Sequence, residues 1–358
     1  MRIKKALFLG TLCTAVSGMS LFAQAGVSYA KSAEKTTEAA SSEEAESEEE
    51  TSEEVTYPIT IEHAFGETVI ESKPERIATI GWENQDTPLA LGVAPVGVSA
   101  ANYGMVTDNN LHPWTDEAFA DLGVEKPVVF DDVDGLDFEQ ISDCNPDVIL
   151  AAYSGMTQED YDTLSQIAPV IPYKEKAWQT SWREQTIENA EGMGMKQEGE
   201  KKVKEVEDLI AEKLEEYPQL EGIPTAFCWI SADDFSTFYV YLPADPRAAY
   251  LLDLGFTLPE SVQKLAGETD DFNITVSREN ADQLDDIQLM VVYGDEDLLK
   301  SLQEDKLMSQ IPAIKNGAVA LVDSTSALAG ASTPSILSIP YEIDEYLQLL
   351  SDVAENIK

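Results

Sequence analysis

One pattern constrains this chain more than any other: short β-branched runs alternate with helical stretches, the alternation breaks once, and then it resumes. Arg76 to Ile80 predicts a strand, Asp86 to Leu91 a helix, and Val96-Gly97-Val98 the next strand. Phe138 to Cys144 predicts a helix that leads through Asn145-Pro146-Asp147 into a strand at Val148 to Ala151. Thr157 to Ile167 is helical in pattern, and Val170-Ile171 is a further short strand. Strands alternating with helices imply a mostly parallel sheet covered on both faces, because parallel neighbours need a crossover between them. Ahead of this series, Tyr57 to Glu71 alternates around Gly66-Glu67 and predicts a β-hairpin.

The break runs from Trp178 to about Tyr217. It has no proline, is rich in Glu, Lys, Ala and Leu, and sets Val203, Val206, Leu209, Ile210 and Leu214 near helical spacing. This predicts a long helical connector, with Gly192, Gly194 and Gly199 placed to bend or divide it. A second alternating set follows, with runs at Thr225 to Ile230, Asp245 to Leu254, Ser277 to Leu284, Leu289 to Tyr293, Leu298 to Leu302 and Val319 to Val322. A closing helix is predicted near Pro340 to Val353. The expected fold is α/β: two Rossmann-like lobes with mostly parallel sheets, joined by one long α-helix, with a ligand cleft between them. The expected boundaries are 56–176 for the first lobe, 177–217 for the connector and 218–358 for the second lobe.

The N-terminus reads as an address. Met1-Arg2-Ile3-Lys4-Lys5 precedes a mostly apolar run from Ala6 to about Ala23, the build of a secretory signal. Two small-x-small exits follow, Ala23-Gln24-Ala25 and Ser28-Tyr29-Ala30; cleavage after Ala30 is the preferred reading and the earlier exit the alternative. An uncleaved anchor helix is disfavoured because Gly, Ser and Thr dilute the run. Cys13 follows Leu12 rather than a small residue, so it is read as part of the signal at 1–30, with lipidation a minority reading. Residues 31–55 form an acidic tether: from Lys31 to Glu54 the chain has ten Glu against two Lys and no aromatic residue, too little apolar surface to fold. The expected location is outside the cytoplasm, at the outer face of the cell membrane.

Charge narrows the function. With 23 Lys+Arg against 67 Asp+Glu the net charge is −44, which argues against nucleic acid and against anionic lipid surfaces. Two histidines and three cysteines, none close in sequence, argue against a His- or Cys-based metal centre. Cys144 and Cys228 adjoin apolar runs and are expected to be buried, inert thiols. No nucleophile elbow, phosphate loop or His-Glu-x-x-His motif is present, so no catalytic residue is nominated. Asp132-Val133-Asp134-Gly135 resembles a calcium loop only in part, because Phe130 and Ile141 stand where the first and last carboxylates belong.

Aromatic residues at strand-to-loop junctions are more informative. Trp82, Tyr153, Trp229 and Tyr293 each sit at or just beyond the carboxyl end of an expected strand, where open α/β sheets bind ligands. Tyr103, Trp114, Tyr239 and Tyr241 are expected in loops that could join the same cleft. Past the signal the arginines are Arg76, Arg183, Arg247 and Arg278. Arg247, opening a helix after Asp245-Pro246, could reach a ligand or pair with Asp245. So few arginines in so acidic a body point to a neutral, cationic or weakly anionic ligand.

Several phrases, taken in order, resemble the substrate-binding proteins of iron–siderophore ABC importers. They are Lys73-Pro74-Glu75-Arg76-Ile77, Leu91 to Val98, His112-Pro113-Trp114, Asn145 to Leu150, Ile167-Ala168-Pro169-Val170 and Trp178 to Thr186. The series continues with Asp245-Pro246-Arg247, Leu254-Gly255-Phe256, Val276 to Glu279 and Ile314-Lys315-Asn316-Gly317. The resemblance implies capture of a ferric siderophore and its delivery, without chemistry, to a permease dimer served by a cytoplasmic ATPase. It implies no cofactor, iron held by the ligand itself, and a monomer. By motif position, Glu139 in Phe138-Glu139-Gln140-Ile141 and Glu279 in Ser277-Arg278-Glu279 are the implied permease-docking residues. The same fold carrying haem, a corrinoid or another metal chelate is the alternative, and a secreted α/β enzyme the minor one.

Overall fold

The computed structural model describes residues 55–132 and 135–358. The signal, Cys13 and nearly all of the expected tether lie outside the described residues, as do Val133 and Asp134 of the partial calcium loop. Among the described residues no helix is long and apolar enough to cross a membrane.

The chain begins with the hairpin β1 (Ile59–His63) and β2 (Gly66–Ile70), paired antiparallel with Ile59 opposite Ile70. It is fastened to the body by Thr68, whose hydroxyl donates to the Val170 carbonyl at 2.7 Å. The first large sheet follows, built from β3 (Ile77–Thr79), β4 (Gly97–Ser99), β5 (Val129–Phe130), β6 (Val148–Ala151) and β7 (Val170–Pro172). Its order is β5-β4-β3-β6-β7 and every pairing is parallel. The helices α1 (Asp86–Ala90), α2 (Pro113–Asp121), α3 (Phe138–Asp143) and α4 (Gln158–Leu164) make the crossovers. All four residues of β6 are fully buried, as a strand covered on both faces requires.

The proline-free stretch is divided, and α6 (Lys196–Leu214) is its one long helix. Before it, α5 (Trp182–Gly192) starts at a capping box in which Ser181 and Glu184 satisfy each other's backbone N–H groups. The division falls at Met193-Gly194-Met195, where Gly194 takes a left-handed backbone (φ 67°). Val203, Val206 and Ile210 of α6 are buried, as their spacing predicts, in the same apolar cluster as Phe227, Leu251, Ile343 and Leu347 of the second half.

The second sheet has the order β10-β9-β8-β11-β12, from β8 (Thr225–Trp229), β9 (Thr237–Tyr241), β10 (Asn273–Ser277), β11 (Leu289–Tyr293) and β12 (Val319–Val322). The strands β8, β11 and β12 are parallel, whereas β9 and β10 form an antiparallel arm. The arm corrects the expectation of loops around Tyr239 and Tyr241: both lie on β9. Its helices are α7 (Pro246–Asp253), α8 (Glu260–Ala266), α9 (Glu296–Glu304), α10 (Pro312–Asn316), α11 (Ala327–Ala331) and the closing α12 (Ser338–Ala354). The run from Ser277 to Leu284 contains a short 3₁₀ turn over Arg278–Gln283. Cys144 and Cys228 are buried free thiols.

Candidate functional site

In each sheet the strand order reverses once, between β3 and β6 in the first and between β8 and β11 in the second. Ligands of open α/β sheets bind beyond the strand ends at such reversals. Trp82 and Tyr153 follow β3 and β6, while Trp229 and Tyr293 end β8 and β11. All four junction aromatics therefore stand at the two reversal points.

Beyond β3 the backbone turns sharply at Gly81 (φ 81°), where a Cβ would lie 2.6 Å from the Tyr153 carbonyl oxygen. Only glycine fits that approach. The Trp82 N–H then donates to the same carbonyl at 3.2 Å. Asn84, fully buried, fastens the turn: its Nδ2 donates to the carbonyls of Ile80 (2.8 Å) and Tyr153 (2.9 Å). Its Oδ1 accepts from the Tyr153 N–H at 3.1 Å and from Asn189 Nδ2 at 3.0 Å. Gln185 of α5 donates to the Trp82 carbonyl at 2.8 Å. The Trp82 backbone is thus fixed by two elements.

Trp82 meets Trp178 edge to face (centroids 5.6 Å, 60°), and Trp178 meets Tyr153 the same way (5.3 Å, 79°). Trp178 lies across Gly155, where any Cβ would come within 2.5 Å of the indole nitrogen. Its own backbone is left-handed (φ 62°), an uncommon state for a bulky residue and one that concentrates at ligand-binding sites. Trp82, Trp178, Met156, Ser99, Asn102 and Asp132 border a cavity of about 360 Å³, within the usual size range for small-ligand sites. The Ser99 hydroxyl is hydrogen-bonded to Asp132. A smaller cavity continues from Trp82, Ser99 and Asn102 toward Tyr103, Glu83 and His112.

Tyr103 reaches the other half of the molecule, meeting Tyr293 edge to face (5.2 Å, 77°). Behind them Arg247 forms a two-bond pair with Asp245, Nε to Oδ1 at 2.8 Å and Nη2 to Oδ2 at 2.7 Å, with its guanidinium 4.2 Å above the Tyr241 ring. Of the two roles left open for Arg247, the structure displays the Asp245 pair, and the arginine charge is compensated. Burial pushes the phenols of Tyr103, Tyr241 and Tyr293 up to about 12, the nearby Arg247 only partly opposing it, and pushes Tyr153 further up. All four phenols are therefore held as hydroxyls that can donate as well as accept hydrogen bonds.

Trp229 and Tyr239 are cross-strand partners on β8 and β9, stacked at 5.5 Å and each 41% exposed. They form an open aromatic shelf on the second sheet and border neither of the two cavities. Trp114 departs from expectation. It lies on α2, started by Pro113 at the first helical position, and is buried at 3% exposure. Its indole N–H donates to Asp86 at 2.9 Å and its ring stacks on His112 (4.5 Å, 18°), so it braces the cleft from behind. Glu139 is exposed in the first turn of α3, and Glu279 is exposed in the 3₁₀ turn after β10. Reading the sequence missed Trp178, Asn102 and Glu83; the signal for Trp178 was a tryptophan in the polar stretch after a strand, at the same sheet edge as the others.

The sequence pattern of the periplasmic binding protein family matches residues 77–325. The chain is similar to PiaA of Streptococcus pneumoniae TIGR4, solved in complex with ferrichrome, with 47% identity, TM-score 0.81, and coverage of 84% of this chain and all of that one. It is 24% identical over 305 residues to the petrobactin-binding protein YclQ of Bacillus subtilis, covering 81% of this chain and 88% of that protein. The fold also matches Staphylococcus aureus SirA complexed with staphyloferrin B, at 23% identity and TM-score 0.64, over 84% of this chain and 99% of SirA. Two α/β lobes, a long connecting helix, aromatic strand ends at both reversal points and this sequence match lead to one assignment: the chain belongs to the periplasmic binding protein family.

Proposed function

We propose that this protein captures a ferric siderophore without strong negative charge, most simply of the hydroxamate class, and presents it unaltered to an ABC importer. The observation that carries this reading is the aromatic cleft at the first reversal point, where Trp82 and Trp178 face a cavity of about 360 Å³ with no Lys or Arg among the described residues on its border. A strongly anionic catecholate or carboxylate chelate would call for several free cations. Arg247, which stands behind Tyr103 and Tyr293, is already neutralised by Asp245. The 47% identity to a protein solved with ferrichrome supports the same ligand class.

On this reading residues 1–30 direct export, 31–55 tether the body outside the membrane, and the lobes at 56–176 and 218–358 close about the connector at 177–217. Glu139 and Glu279, one exposed on each lobe, would pair with cations of a permease dimer driven by a cytoplasmic ATPase. The protein would act as a monomer and catalyse nothing. Tryptophan fluorescence titration tests the reading, because Trp82 and Trp178 border the cavity: ferrichrome should quench strongly, while ferric catecholate and citrate-type chelates should quench weakly. Silence with all three would overturn it.

A further inference from the structure

The smaller cavity at the cleft floor contains a group that the proposed capture of a chelate does not use. Glu83, in the turn after β3, is only 5% exposed, and its backbone is left-handed (φ 59°), an uncommon conformation that needs local compensation. One carboxylate oxygen, Oε1, lies 3.2 Å from His112 Nε2. The other, Oε2, is buried and has no hydrogen-bond partner among the described residues. A buried carboxylate oxygen without a donor is costly, so such groups are normally satisfied by protein, water or ligand.

His112 does not relieve that oxygen. Its Nδ1 lies 3.1 Å from the Met105 carbonyl and its Nε2 faces Glu83, so both ring nitrogens point at acceptors. Only the doubly protonated ring donates to both. Asp86 is buried close behind and already accepts from Trp114, Thr115 and Ser335. Nothing in this cluster therefore offers Oε2 a proton. The cavity that Glu83 borders with Trp82, Gln85, Asn102 and Tyr103 has room for about one water-sized group, roughly 20 Å³.

We propose that Glu83 Oε2 is a donor-reading subsite that accepts a hydrogen bond from an ammonium group on an arm of the bound chelate, so that the protein prefers chelates carrying a primary amine. The inference rests on the cleft taking a ferric chelate at all. The subsite is narrow, which suits a terminal group and not the iron core, and the core keeps the larger aromatic cavity.

The test is a fluorescence titration of the whole protein with ferrioxamine B, a linear ferric trihydroxamate with one free ammonium, and with its N-acetyl derivative, which keeps the iron core and loses that charge. The amine form should bind roughly tenfold or more tightly, the size of a charge-assisted hydrogen bond. Glu83→Gln should bring its affinity down to that of the acetylated form, whose own affinity stays put. Equal affinities in the unaltered protein would overturn the subsite, and that comparison needs no variant. Retention of the preference in Glu83→Gln would overturn it as well. Failure of both linear chelates while ferrichrome still quenches would also count against it, because the cavity would be refusing the donor it is proposed to read. Failure of all three chelates would instead remove the capture reading beneath it.

Discussion

The Ser335 hydroxyl donates to the Asp86 carboxylate at 2.5 Å across 249 residues of chain. Asp86 opens α1 beneath the first cleft wall, and Ser335 lies in the segment that returns from the second sheet to begin α12. The same carboxylate accepts from Trp114 Nε1 and Thr115 Oγ1, each at 2.9 Å. Around it the returning segment stays close to the first lobe: the Met105 N–H donates to the Ser326 carbonyl at 2.9 Å, and Gly330 lies against His112 and Trp114. Beside α6 and the Tyr103–Tyr293 contact, this polar knot also holds the lobes together, which suits modest closure more than a wide hinge.

Asp86→Ala should destabilise the protein by about 3 kcal/mol or more, because three donors lose their only buried acceptor. Asp86→Asn keeps the shape and an acceptor and should cost less. Urea unfolding of the three proteins checks this; equal midpoints would mean the knot carries no stability.

The stacked cleft residues lead to a second expectation. Trp178→Ala should weaken chelate binding by about tenfold to a hundredfold with little loss of fold, since the ring is half-buried and packs on Trp82 and Tyr153. Gly155→Ala should reproduce part of that loss without removing any aromatic surface, because the added methyl displaces the indole. Titration of both variants with ferrichrome would check this, and a Gly155→Ala protein binding as tightly as the unaltered one would show that the indole position is not critical.

Much of this arrangement was readable before the structure. Period-2 and period-3.6 patterns located nearly every parallel strand and its crossover, and strand ends located Trp82, Tyr153, Trp229 and Tyr293, because hydrophobic spacing directly reflects which faces are covered. The antiparallel arm of β9 and β10 was not readable: Thr237–Tyr241 alternates exposed and buried residues at a sheet edge and follows the turn-like Ser231-Ala232-Asp233-Asp234. Trp114 was placed in the cleft because its anchor, Asp86, lies 28 residues away and only tertiary structure joins them. Trp178 and Glu83 depend on left-handed backbones, which spacing does not reveal.

The docking proposal predicts a separation of two activities. Glu139 and Glu279 are exposed, so Glu139→Arg with Glu279→Arg should leave folding and ferrichrome affinity intact. Uptake of labelled ferric chelate by cells carrying the double variant should fall to background, because like charges would then face the permease. Normal uptake would dismiss the two glutamates as docking residues, and a loss of affinity would place them in the cleft instead.

Stability should also report on a carboxyl far from the ligand. Glu342 on α12 is 6% exposed, and burial, with help from nearby Glu345, pushes its pKa up from the ordinary 4.5 to about 7. The folded protein thus holds this proton more tightly than the unfolded chain. Its contribution is fullest below about pH 4.5, shrinks as pH rises, and is lost on passing through about pH 7. Glu342→Gln, which never ionises, should melt a few degrees higher than the unaltered protein at pH 8 and close to it at pH 5, where the native carboxyl is already protonated in the fold. Melting curves at the two pH values decide the matter: a gap of the same size at both would tie the gain to packing and not to the proton.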